Sequence, residues 1–316
     1  MKYCIGVDLG GTNIAVGLIS LDEKRIVDKM SVKTNAPRPC RAISEDIKRV
    51  IDSLCARAKL SISDISWIGV ATPGIVKQGV VVSAVNLGWN NEPFGDIISE
   101  ITGRPSFVAN DANAAAYAEA VWGCGVGIRS LIAVTLGTGV GGGIIIDGRI
   151  WEGFNGFAAE LGHMVIDSNG RRCGCGLRGC LESYCSATAL VNEAKRMMKL
   201  YPDSIMWEMT GGDPERMNGI IPFEAKRRSD VAATLLIDDF VNYLALGIAN
   251  MINVFQPELV CVGGGISGEG EALIGPLRDK LRYISFGTKD GRTRIEAAKY
   301  RNDAGIIGAG LLGYME

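Results

Sequence analysis

The chain has 316 residues, enough for two domains of ordinary size, and is 47% apolar and 22% charged, with 42 glycines and a formal net charge of −2. No block of basic residues offers nucleic acid an electrostatic footprint, and no apolar run approaches the roughly 20 residues needed to cross a bilayer. Met1 through Asp8 meets an acid too early for a signal peptide, and nine cysteines, six of them scattered singly, suit a reducing compartment, so a cytoplasmic location is expected.

In chain order, Tyr3–Asp8 reads as a strand, Leu9–Asn13 as a glycine turn, and Ile14–Ser20 and Arg25–Val32 as two more strands of a meander. Apolar residues at helical spacing follow from Ala42 to Lys59. Ser66–Ala71 is a buried strand ending at Thr72-Pro73-Gly74, and Ser106–Ala109 is a short strand running into Asn110-Asp111 and an alanine-rich helix through Trp122. The pattern then repeats: Ser130–Leu136 is a strand, Gly137–Gly143 a glycine turn and Ile144–Asp147 a second strand. The chain turns largely helical from Ala187 to Val254, with a loop around Pro202–Pro222. Leu259–Val262 is a strand, about Glu269–Leu281 a helix, Arg294–Ala298 the last strand and Asp303–Tyr314 the final helix. Two glycine hairpins, each opening a strand-rich half, imply two related α/β halves around a cleft, with ligands at the carboxyl ends of the strands.

One histidine and three close cysteines form the most specific cluster. His163 closes Glu160-Leu161-Gly162-His163, and Cys173-Gly174-Cys175-Gly176-Leu177-Arg178-Gly179-Cys180 follows, then Leu181-Glu182. One imidazole and three thiolates complete a tetrahedral zinc set, and the glycines let the backbone wrap one ion. Four protein ligands leave no open position, so such a zinc is structural, with the second ring nitrogen of His163 free for another partner. The plainer alternatives are a surface accident, or a disulfide with a spare thiol.

Three glycine turns have the residues to face phosphates: Asp8-Leu9-Gly10-Gly11-Thr12-Asn13, the run from Leu136 and Gly137-Thr138-Gly139 to Gly143, and Val262-Gly263-Gly264-Gly265-Ile266-Ser267-Gly268. Any one of them is also readable as a tight turn alone. No Gly-x-x-x-x-Gly-Lys-Ser/Thr is present, which excludes a P-loop. Gly-x-Gly-x-x-Gly occurs at Gly137–Gly142, where a strand follows instead of the helix a dinucleotide site needs, and at Gly263–Gly268, between a strand and a helix. A zinc-containing dehydrogenase is therefore a competing reading. Asp8, an acid at the end of a buried strand, suits Mg²⁺ carried by nucleotide phosphates, or simply stabilises its own turn. Asn110-Asp111 suits a helix N-cap; alternatively Asp111 accepts the proton of an alcohol attacking a γ-phosphate while Asn110 binds a neighbouring hydroxyl. Glu160, His163 and Glu182 would complete a ring of groups for a polyhydroxylated substrate, although either glutamate also reads as a solvated surface acid.

Taken together these runs resemble the family of sugar kinases and repressors named "repressor, open reading frame, kinase" (ROK). The resemblance spans the chain through Asp8-Leu9-Gly10-Gly11-Thr12, Asn110-Asp111-Ala112-Asn113, Leu136–Gly139, Glu160–His163, the cysteine cluster with Leu181-Glu182, Val262–Gly265 and Asn302-Asp303-Ala304-Gly305. It implies an α/β fold of two ribonuclease-H-like domains of the actin and hexokinase type around a central cleft. Residues 1–118 with 300–316 would form the smaller domain, and 119–299 the larger, with the zinc segment at 163–180. It implies Asp111 as general base, Gly74, Asn110, Asp111, Glu160, His163 and Glu182 on the sugar, and zinc on His163, Cys173, Cys175 and Cys180. Asp8, Gly10, Gly11, Thr12, Asn13, Gly137, Thr138, Gly139, Gly264 and Gly265 would hold ATP and its Mg²⁺. Asn86-Leu87-Gly88-Trp89 resembles the glucokinases of the family, and Ala159 stands where many members carry glycine.

The expected function is ATP-dependent phosphorylation of a hexose at the 6-hydroxyl, glucose first, in carbohydrate metabolism, by a cytoplasmic homo-oligomer (dimer or tetramer) without nucleic-acid or membrane partners. Kinases for N-acetylmannosamine, N-acetylglucosamine, fructose and allose share these motifs. A sugar-sensing regulator is the alternative of another class; its helix-turn-helix would precede the first strand, which is expected already at Tyr3.

Overall fold

Apolar side chains bury Tyr3–Leu9 along nearly its whole length, as expected of a strand covered on both faces, and the rest of the fold is laid against such strands. The computed structural model describes residues 2–286 and 293–315. Its strands are β1 (Tyr3–Leu9), β2 (Asn13–Ser20), β3 (Arg25–Lys33), β4 (Ile65–Thr72), β5 (Ile75–Lys77), β6 (Val80–Ala84), β7 (Trp89–Glu92), β8 (Ser106–Asn110), β9 (Leu131–Leu136), β10 (Val140–Ile146), β11 (Arg149–Ile150), β12 (Leu259–Gly263) and β13 (Arg294–Ala297). Its helices are α1 (Cys40–Ala58), α2 (Phe94–Thr102), α3 (Asp111–Val121), α4 (Glu182–Cys185), α5 (Ala187–Leu200), α6 (Met206–Met209), α7 (Ile221–Arg227), α8 (Val231–Phe255), α9 (Glu271–Ile284) and α10 (Ala304–Leu311).

The first sheet has the order β3-β2-β1-β4-β8, the second β11-β10-β9-β12-β13, so the same connectivity occurs twice, as the repeated sequence pattern predicts. In the first, β1 and β2 pair antiparallel while β1, β4 and β8 run parallel, which brings their carboxyl ends together. Helix α1 covers this sheet with Ile43, Ile47, Val50, Ile51 and Leu54, all buried and at helical spacing. Each fully buried isoleucine contributes roughly 1.5–3 kcal/mol of burial energy. In the second sheet β12 runs parallel to both β9 and β13.

Contacts divide the chain into two units, one of residues 1–129, 143–159 and 302–316, the other of 130–142 and 160–301. The sequence pattern places the first division at 118/119. Residues 143–159 fall with the first unit because Gly143 lies against α3 so closely that a Cβ there would meet Ala116 Cβ at 2.5 Å and Ala112 O at 2.8 Å.

Three structural expectations need correction. Gly137–Gly143 is not all turn: β10 begins at Val140 and takes in Gly141–Gly143, the last of which packs on α3 with no room for a side chain. The three-stranded sheet β5-β6-β7 and helix α2 lie between Ile75 and Thr102, where no element was read. Helix α8 has 25 largely apolar residues, so among the described residues one segment does have the length and composition to cross a membrane. Much of it, including Leu236, Ile237, Phe240, Leu244, Ile248 and Ile252, is buried inside the protein, as in a core helix. Ala159 adopts φ +65°, a left-handed conformation that glycine takes more readily than alanine.

Candidate active site

In the first unit, parallel pairing fixes the register Asp8–Ala71 between β1 and β4 and Ala71–Ala109 between β4 and β8. Asp8, Asn110 and Asp111 therefore all come to the carboxyl end of the sheet, where ligands of open α/β sheets bind. Asn110 does cap α3: its Oδ1 accepts from Ala112 N at 2.9 Å and Asn113 N at 3.2 Å. Its Nδ2 donates to Gly74 O at 3.0 Å, leaving the second amide hydrogen for another acceptor. The cap and the hydroxyl-binding role are thus compatible. Gly74, at φ +91°, has no room for a side chain, since a Cβ would fall 2.1 Å from Ser83 O. It serves Asn110 through its carbonyl.

Asp111 opens α3 with its carboxylate exposed, Oδ1 accepting from Ala112 N at 2.8 Å. Burial, and secondly the charge of Asp111, push the Asp8 carboxyl up to about 6. Two acids that raise one another's cost of ionisation form an arrangement that a divalent cation relieves. The first glycine turn is tied down by Thr34, whose Oγ1 donates to Gly10 O at 2.6 Å and whose N donates to Thr12 O at 2.9 Å. Gly10 N also bonds Asn13 O at 2.9 Å, and the Thr12 and Asn13 side chains stay exposed.

In the second unit, Thr135 of β9 pairs with Gly263 of β12, so the turns at Gly137-Thr138-Gly139 and Gly264-Gly265 leave adjacent parallel strands side by side. Helix α5 braces the first of these: Ala187 N donates to Gly137 O and Thr188 Oγ1 to Thr138 O, both at 2.8 Å. The sequence reading passed over Thr188, whose only signal is its place two residues beyond the helix N-cap Ser186. A cavity of about 370 Å³ opens beside Thr138, lined among others by Arg171, Arg172, Thr188, Asn192 and Arg196. Gly264, at φ +82°, begins a turn closed by Ser267, whose N and Oγ donate to its carbonyl at 3.1 and 2.7 Å.

His163, Cys173, Cys175 and Cys180 converge, their donor atoms all within 4.8 Å of one another. His163 Nδ1 lies 3.7 Å from Cys173 Sγ, and Cys175 Sγ lies 3.6 Å from Cys180 Sγ. Tetrahedral zinc with bonds near 2.3 Å to sulfur and 2.0 Å to nitrogen sets its ligands about 3.5–3.8 Å apart, so the residues fit that ion. Nδ1 turns toward the thiols and Nε2 is left over. Glu182 joins this cluster to the Thr138 turn: Oε1 lies 3.6 Å from Cys173 Sγ and Oε2 accepts from Val140 N at 3.1 Å. Glu160 remains exposed, its carbonyl accepting from His163 N at 3.0 Å.

The model of the ROK family matches residues 4–314. A glucokinase of Thermotoga maritima is 38% identical over 311 residues, covering 96% of this chain and 95% of that protein. A xylose repressor of Caldicellulosiruptor bescii is 30% identical over 96% of this chain but only 76% of its own length. The crystal structure of a ROK family glucokinase from Streptomyces griseus, in complex with glucose and AMPPNP, superposes with a TM-score of 0.83 at 33% identity and full coverage of both chains.

Proposed function

This chain belongs to the ROK family, and on that premise we propose that it phosphorylates glucose at the 6-hydroxyl with ATP. It is an ATP-dependent hexose kinase, as its glucokinase relatives support. The observation that carries the reading furthest is the pair of acids at one sheet end: an exposed Asp111 at the start of α3, and an Asp8 whose ionisation it opposes.

Asp111 accepts the proton of the 6-hydroxyl as that oxygen attacks the γ-phosphorus and ADP leaves; Asn110, Glu160, His163 and Glu182 bind the other sugar hydroxyls. Phosphoryl transfer asks a protein for positioning, charge neutralisation and one such carboxylate, all of which these residues supply. The glycine turns at 10–13, 137–139 and 264–265 offer backbone amides, and Thr12 and Thr138 offer hydroxyls, to the phosphates. Asp8 would be the acid toward a Mg²⁺ carried by the nucleotide, an ion that would supply neutralisation of the phosphate charge. No disulfide joins the cysteines among the described residues, and the reading is completed by a cytoplasmic setting and assembly as a homo-oligomer.

His163, Cys173, Cys175 and Cys180 would hold a zinc ion whose four protein ligands leave it no open position, so it orients the His163 ring and takes no part in the transfer. Metal analysis should find about one zinc per chain. Cys175→Ser should lose it, with a lower Tm and about tenfold weaker glucose binding by calorimetry. Zinc-free protein with unchanged glucose affinity would break the link between metal and substrate.

ADP release across a panel of hexoses and N-acetylhexosamines, with and without Mg²⁺, tests the assignment. Glucose should give the highest kcat/KM, and only with Mg²⁺. Tight sugar binding without turnover would mark a sensor instead, and reduction of NAD⁺ by an alcohol a dehydrogenase.

A further inference from the structure

We propose that Gly305 is a positioning residue for the reaction: its bare Cα is the seat of the Asp8 carboxylate, so that the C-terminal helix α10 sets where β1 presents that acid. The inference rests on the reading of Asp8 as the acid facing Mg²⁺. A Cβ built on Gly305 would fall 2.4 Å from Asp8 Oδ2, 2.6 Å from Cγ and 3.1 Å from Oδ1, and these are its three nearest atoms. The backbone gives no other reason for glycine here, because Gly305 lies in the first turn of α10 and is not among the positive-φ glycines. At such a helical position alanine is ordinarily the better residue.

Helix α10 has no room to retreat. Cβ atoms added at Gly6 and Gly69 would fall 1.9 Å from Ile306 O and 1.7 Å from Ala309 O, and one at Gly308 would fall 1.8 Å from Ala114 O. Backbone thus meets backbone on β1, on β4 and on α3, the helix that Asp111 opens. Asp8 is the softer partner, since its carboxylate accepts no hydrogen bond among the described residues and is placed by packing. A methyl group at 305 must therefore displace the carboxylate, and displacements on the order of 1 Å at a reacting centre are costly.

A double-mutant cycle with Gly305→Ala and Asp8→Ala tests the seat, read by Tm. Gly305→Ala should lower Tm by about 5 °C in the wild-type background and leave it level or raise it when Asp8 is alanine, because the obstructed group is gone. Should Gly305→Ala fail to fold, recovery of soluble protein by adding Asp8→Ala is the same coupling. Equal losses in both backgrounds would overturn the proposal. The second reading is calorimetric: Gly305→Ala should weaken ADP binding in the presence of Mg²⁺ about tenfold, and change Mg²⁺-free ADP binding and glucose binding less than about twofold. Coupling in Tm with unaltered Mg²⁺ dependence would overturn the role of Asp8 toward the metal, and the positioning role with it, while leaving hexose kinase activity in place.

Discussion

Asp111→Asn is expected to lower kcat with glucose by about 10²–10⁴-fold while glucose still binds within a few-fold of the wild type, because a neutral amide keeps the volume and the helix-start geometry but cannot take a proton. The carboxylate accepts from Ala112 N through Oδ1, a bond the Asn Oδ1 can also make, so the fold should not suffer. Steady-state kinetics with calorimetric glucose binding reads both effects. An equal loss of binding and turnover would place Asp111 in ground-state recognition instead.

Asp8→Asn should separate stability from activity in opposite directions. In the folded protein the Asp8 carboxyl is raised to about 6 from its ordinary 3.8, by burial first and then by Asp111. The folded state therefore holds this proton where the unfolded chain has released it, so Asp8 removes stability as pH rises from about 4 to about 6 and the cost persists above. The neutral variant escapes that cost at pH 7.5. With allowance for partial exposure the gain is about 1–3 kcal/mol, or roughly 2–8 °C in Tm by calorimetry. Activity moves the other way, with kcat/KM for Mg·ATP falling about 10²-fold or more as the metal loses its acid. In the wild type, kcat/KM for Mg·ATP should decline below about pH 6, and this limb should move to lower pH in Asp111→Asn, which lacks the opposing charge. A Tm that falls in Asp8→Asn would mean the carboxylate is a stabilising group.

The repeated sheets were legible because β1, β4, β9 and β12 are continuous apolar runs that end in glycine or polar turns, a pattern that survives without knowledge of neighbours. The grouping of His163 with the three cysteines was legible for a similar local reason, with three thiols inside eight residues. Which nitrogen of His163 faces them was not, since ring orientation comes from packing. The small sheet β5-β6-β7 escaped because strands of three to five residues are too short to display a period. A turn signal was present, however: Gln78-Gly79 adopts φ +50° and +79°, the two-residue hairpin geometry that an X-Gly pair favours. Gly141–Gly143 read as turn because glycine weakens a strand in isolation, and the close packing of Gly143 on α3 exists only in the folded chain. Gly305 carries no signal of its own role, because Asp8 lies nearly 300 residues away and meets it only in the folded chain.

Phosphorus NMR of glucose and Mg·ATP incubated with the protein tests the central claim most directly. The account predicts a glucose 6-phosphate resonance growing in step with ADP, abolished in Asp111→Asn. Formation of ADP with inorganic phosphate alone, or no transfer from ATP while glucose is bound, would contradict it.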